Sequence, residues 1–152
     1  MTGIVSQNVA RTSGLIKAAS GGGGVWTKIK EITASSDSTI SFVDGTSDVV
    51  LDSTYPIYVF KWFNTHPSED GRSLCFQANA SGGSGYNETI TSTIFYAFHR
   101  EDDSATTFAY NADRAQAQGT GVQVISFPAG NANDESSSGE LWLFGISSTT
   151  FV

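Results

Sequence analysis

Beyond four consecutive glycines, Gly21 to Gly24, apolar residues recur in short runs that alternate with polar ones and end in turn signals. Residues 25–32 alternate weakly. Residues 39–43 alternate clearly, with Ile40 and Phe42 on one face, Thr39 and Ser41 on the other, and Asp44-Gly45 as the closing turn. Residues 49–51 read as a short strand or a packed loop. The strongest run is 57–63, where Tyr58, Phe60 and Trp62 share one face and Ile57, Val59, Lys61 and Phe63 share the other. Apolar groups on both sides predict a central strand covered twice, or one side buried against a neighbouring subunit. Pro56 precedes it, where a missing N–H is tolerated.

Further along, Leu74, Phe76 and Ala78 share a face, and Ile94, Tyr96 and Phe98 oppose Phe95, Ala97 and His99. Residues 106–110 and 122–127 read as strands, and in 140–146 Leu141 and Leu143 oppose Trp142, Phe144 and Ile146. Residues 112–118 alone have a helix-forming composition, enough for one or two turns. About eight short strands spaced by turns predict an all-β sandwich or barrel. The run Thr149-Thr150-Phe151-Val152 reads as the start of another strand, so we expect either a continuing chain or an edge completed by another subunit.

Residues 1–20 differ in kind. Ile4, Val5, Val9, Leu15 and Ile16 are scattered among polar residues with no regular period, interrupted by Gly3 and Gly14. Such a segment has too little apolar surface to fold alone, but enough to lie in a neighbour's groove.

Charge sharpens this division. The first acidic residue is Glu31, and before it stand Arg11, Lys17, Lys28 and Lys30. The chain totals 15 acidic and 8 basic side chains, and all the acids lie from Glu31 onward. A cationic leader, a glycine joint and an acidic body predict an attachment design. The boundaries are 1–24 for the extended docking arm and Gly-rich hinge, and 25–152 for the body. Arg11 and Lys17 are expected to pair with acidic or main-chain groups of the partner, while Ile4, Val5, Leu15 and Ile16 fill apolar grooves.

The net charge of −7 argues against nucleic acid as the main partner, since phosphate binding needs a positive surface. No run of about 18 apolar residues exists to span a membrane, and residues 1–20 lack the apolar stretch of a signal peptide. We therefore expect synthesis in a cytoplasm. The single cysteine, Cys75, excludes an internal disulfide and reads as a small buried hydrophobe.

Candidate chemistry is sparse. His66 and His99 are the two histidines, and neither sits in a nucleophile or metal-ligand motif. The glycine run precedes a weak strand and lacks the lysine spacing of a phosphate loop. The acidic clusters Glu69-Asp70, Glu101-Asp102-Asp103 and Asp134-Glu135 read as solvated turns and do not match a twelve-residue calcium loop. No catalytic residue, metal or cofactor is expected. Trp26, Trp62 and Trp142 are candidates for stacking against sugar rings, although core packing is the simpler role for an indole among apolar neighbours.

Several segments resemble small virion proteins of tailed bacteriophages, particularly marine ones. They are Asn8-Val9-Ala10-Arg11-Thr12-Ser13-Gly14-Leu15-Ile16-Lys17 ahead of a glycine stretch and Thr33-Ala34-Ser35-Ser36 leading into Ile40 and Phe42. Leu51-Asp52-Ser53-Thr54-Tyr55, Ser138-Gly139-Glu140-Leu141 and Ser147-Ser148-Thr149-Thr150 continue it. The resemblance implies a β-sandwich held to the particle by an N-terminal segment, assembled with other virion proteins as a homo-oligomer, and located in the virion. Such proteins usually run on past the Ser-Thr-Thr element, whereas this sequence ends there.

The expected architecture is thus a jelly-roll-like antiparallel β-sandwich preceded by an extended arm. The expected function is a non-enzymatic tail-fibre or adsorption appendage, with a head decoration protein or a carbohydrate-binding module as alternatives. A trimer is the favoured oligomer, because a threefold axis would use the surplus aromatics of 57–63. Tyr58 and Trp62 are the expected oligomer or glycan face, and a host surface glycan is the expected ligand if there is one.

Overall fold

The computed structural model describes residues 26–148. They fall into two compact units that divide between Thr54 and Tyr55. All six strands found among the described residues belong to the second unit: β1 (Ile57–Thr65), β2 (Cys75–Phe76), β3 (Phe95–His99), β4 (Thr106–Tyr110), β5 (Gln123–Val124) and β6 (Ser137–Phe144). No helix occurs among the described residues, so the class is all-β. The strands pair antiparallel in three two-stranded sheets: β1 with β6, β2 with β5 and β3 with β4.

The described part of the first unit contains no strand, although 25–32 and 39–43 alternate. Its order comes from turns. Gly45 takes a φ of 74°, open to glycine at little steric cost. Around it Thr46 N donates to Val43 O at 3.0 Å and Gly45 N to Val49 O at 3.0 Å. Asp44 Oδ1 accepts from Leu51 N at 2.8 Å, which closes residues 44–51 on themselves and leaves 49–51 a loop with Val49 buried. The Asp44-Gly45 turn therefore forms as its chemistry dictates. The strands expected beside it do not form among the described residues, so alternation alone was not enough.

In the second unit the period-two pattern becomes β1 and β6 over 57–65 and 137–144. Their register sets Ile57 against Phe144, Val59 against Trp142, Lys61 against Glu140 and Trp62 against Gly139. A bulge follows Trp62. There Asn64 takes a left-handed φ of 50°, which Asn tolerates better than branched residues, and its N–H donates to Ser138 Oγ at 3.0 Å. The β3–β4 hairpin turns through Arg100–Ala105, with Arg100 N donating to Ala105 O at 2.9 Å. Asp102 accepts from the N–H and hydroxyl of Ser104, and these bonds hold its carboxyl below the ordinary value.

Residues 112–118 form no helix. A single turn bond joins Ala115 N to Asn111 O at 3.2 Å, and Asn111 Oδ1 takes Arg114 N at 3.2 Å. Gln116 N and O are then engaged by Ser92, and Gly119 exchanges both backbone bonds with Ile90. Long-range pairing outcompetes the local helical preference.

The core is thin. Among the described residues only Val49, Tyr58 and Gln123 are buried, whereas sixteen large hydrophobic side chains are exposed. Glutamines join the loops instead. Gln77 Nε2 lies within hydrogen-bond distance of the carbonyls of Glu88, Thr120 and Gly121. Gln123 accepts from Ser92 Oγ at 2.6 Å and donates to Arg114 O and Val124 O.

Candidate functional site

Alternation makes each ribbon two-faced, and the two faces fare differently. On the inner side of β1–β6 lie Tyr58, Phe60 and Trp62, opposite Leu143, Leu141 and Gly139. Tyr58 is 4% exposed and meets the ring of Tyr55 edge-on at 5.8 Å. Trp62 is half-buried over Gly139, where an added Cβ would run into the indole.

The outer side of the same ribbon is open. It carries Ile57, Lys61 and Phe63 from β1 with Phe144, Trp142 and Glu140 from β6, all exposed. Trp142 and Phe144 are 42% and 58% exposed, with ring planes 18° apart and centroids separated by 6.4 Å. Beside them the Lys61 ammonium meets Glu140 Oε1 at 2.6 Å, and Trp142 Nε1 donates to Glu140 Oε2 at 3.0 Å. These two bonds, the one from Lys61 first, hold the Glu140 carboxyl below its ordinary value. The result is an aromatic pair bordered by an oriented carboxylate and a cation, a combination that can stack on a sugar ring and bond its hydroxyls.

A second open face lies on β3–β4. Register places Phe95 opposite Tyr110 and Ala97 opposite Phe108. The rings of Phe95 and Phe108 lie 15° from parallel at 6.4 Å, and Tyr110 tilts against Phe95 at 5.5 Å. On the reverse side Phe127 packs on Tyr96 at 4.9 Å, and the Arg114 guanidinium lies 5.4 Å from the Phe127 ring centroid.

The expected docking residues Ile4, Val5, Arg11, Leu15, Ile16 and Lys17 lie outside the described residues. The structure places Tyr58 and Trp62 on the less exposed side of β1, and their alternates Ile57, Lys61 and Phe63 on the exposed side. The period-two pattern showed that both sides of 57–63 are apolar, but not which would stay open. That Phe95, Phe108 and Tyr110 form one face was not legible in either run alone, because it depends on the pairing of β3 with β4.

The acidic clusters serve as turn-formers. Glu69 pairs with Arg72, Asp103 lies 2.7 Å from His99 Nε2, and Glu135 Oε2 accepts from Ala132 N at 2.9 Å. Among the described residues no three His, Cys, Asp or Glu side chains gather as a metal site. Cys75, expected inside, is exposed on β2, where its two-residue strand leaves the side chain uncovered. Desolvation nevertheless raises its thiol pKa, with Arg114 pulling weakly the other way. No described helix is long and apolar enough to cross a membrane. Compared with protein families, curated proteins and solved structures, the chain has no significant match.

Proposed function

We propose that this chain is a non-enzymatic structural component of a tailed-phage virion, docked by residues 1–24 and projecting an acidic β-rich body as a tail-fibre or adsorption appendage. The observation that carries this reading is the imbalance between core and surface. Among the described residues few large apolar side chains are buried and sixteen are exposed, many of them in strand pairs. A two-stranded ribbon is marginal on its own, and assembly would supply the missing layer. Packing between copies would complete the jelly-roll-like sandwich.

The charge division supports the arm. A positive leader ahead of a glycine joint suits a tether, and an acidic body resists chance aggregation. The joint favours a projecting appendage over a flat head decoration. Deletion of residues 1–20 is expected to abolish incorporation into particles while the body keeps its far-ultraviolet circular dichroism. Normal occupancy of the truncated chain would refute the docking role.

Carbohydrate binding is the second reading, favoured by one observation: Trp142 and Phe144 present near-parallel exposed rings beside the Glu140–Lys61 pair. Trp142→Ala should then weaken binding to a surface polysaccharide of the host by at least about tenfold. Equal binding by the parent and the variant removes this face from consideration.

A further inference from the structure

The β3–β4 ribbon has one side partly covered by its own chain, with Phe98 still 41% exposed there, and one side bare. Phe127 packs against Tyr96 on the first. On the second, Phe95, Phe108 and Tyr110 are 62%, 78% and 50% exposed and touch ring to ring, with Ala97 between them. They form one continuous apolar plate.

The plate is comparable with the largest apolar patch of an ordinary monomer, which is often a functional surface. An aromatic side chain buries about 150–250 Å², so three rings at these exposures leave on the order of 300 Å² or more open. Patches of that size on soluble proteins commonly mark an interaction site. Two plates face to face would bury roughly half of the 1,200–2,000 Å² of a standard specific interface. The open strand edges and flanking loops can contribute the remainder.

We propose that the plate formed by Phe95, Phe108 and Tyr110 seats a second copy of this chain. The inference rests on the reading of the protein as an assembling structural component and names the surface through which it assembles. Three observations select this occupant. The ribbon has only two strands and needs cover whenever the chain is folded, and another copy is the one partner always present with it. No carboxylate projects from the plate's strand positions, because Glu101, Asp102 and Asp103 lie in the connecting turn, and the carboxylate that reaches this face is that of Asp103, held against His99 at the far end. The plate also lacks the converging donors and acceptors that a sugar requires. Its polar groups are the Tyr110 hydroxyl and, at the far end, Thr106 and His99, the latter engaged by Asp103. A flat antiparallel face can meet its own copy isologously, with the rings stacking in offset.

Sedimentation and light scattering of the full chain test this without any particle. The expected mass is a multiple of 16.1 kDa, and the double variant Phe95→Ser/Phe108→Ser should raise the dissociation constant by at least about thirtyfold, as loss of central aromatic anchors does. A photo-cross-linking residue at Ala97 in the otherwise native chain keeps the test valid if that variant misfolds. Its expected adducts join residues 95–110 of two copies. A folded native chain that stays monomeric at millimolar concentration overturns the proposal. So do self-association untouched by the double variant, and adducts confined to other proteins or blocked only by added oligosaccharide. Failure here would leave the arm-deletion result standing, so the two readings are separable.

Discussion

Trp62 lies across Gly139, its register partner on β6, and the missing side chain at 139 is what makes room for the indole. The buried Nε1 of Trp62 has no hydrogen-bond partner, so the ring is held there by packing alone. An added methyl at 139 meets the fused ring system, not the end of a flexible chain. Gly139→Ala should therefore cost about 1–3 kcal/mol, the usual penalty for overpacking. Denaturant unfolding measures it. Trp62→Leu in the same chain should recover part of the loss, since the two sites are coupled. Equal stability of Gly139→Ala and the parent would contradict the contact.

Gln123 is the buried polar side chain among the described residues, and besides its neighbour Val124 it bonds to Ser92 and Arg114, which lie outside its own strand. Gln123→Leu leaves the carbonyl of Arg114 and the hydroxyl of Ser92 without their glutamine partner. The expected loss is about 1–3 kcal/mol. Ser92 Oγ also accepts from Gln116 N at 2.9 Å, so Ser92→Ala should be damaging by itself and less than additive with Gln123→Leu. Strict additivity in a double-mutant cycle would show that the three groups do not act as a network.

Glu140 should titrate below its ordinary 4.5, because Lys61 and then Trp142 bond its charged form. A depressed folded value means that the stabilisation is complete above the unfolded value and disappears as pH falls through the folded one. Acid should therefore loosen β1–β6 only below pH 4.5. Carboxyl-carbon NMR follows this directly, and Lys61→Met should move the Glu140 titration upward. An unchanged titration in that variant would remove Lys61 as the cause.

Cys75 is exposed yet has a thiol raised above 9.0 by desolvation. Alkylation of the native protein at pH 8 should go to completion, but more slowly than for free cysteine, because less thiolate is present. Arg114→Gln should slow it further, since the guanidinium favours the thiolate. Protection until global unfolding would instead place this side chain in the interior.

Much of the ribbon framework is legible in residue order. Tyr58, Phe60 and Trp62 do share a face, β4 spans Thr106–Tyr110 as expected, and Asp44-Gly45 does turn. These features depend on side-chain alternation and on the conformational freedom of one glycine, which act over a few neighbouring residues. The alternation of Ile40 and Phe42 was equally clear, yet the described residues there form no strand.

Neighbours are chosen at a distance. Lys61 meets Glu140 from 79 positions away, and Ser92 intercepts Gln116 before a helix can form. Local pattern therefore determined the all-β class and which residues travel together on a face. Only the tertiary structure decided which face Tyr58 buries, and that Trp142, Phe95 and Phe108 stay open, since burial is a property of the pair of surfaces brought together and a single segment contains one of them.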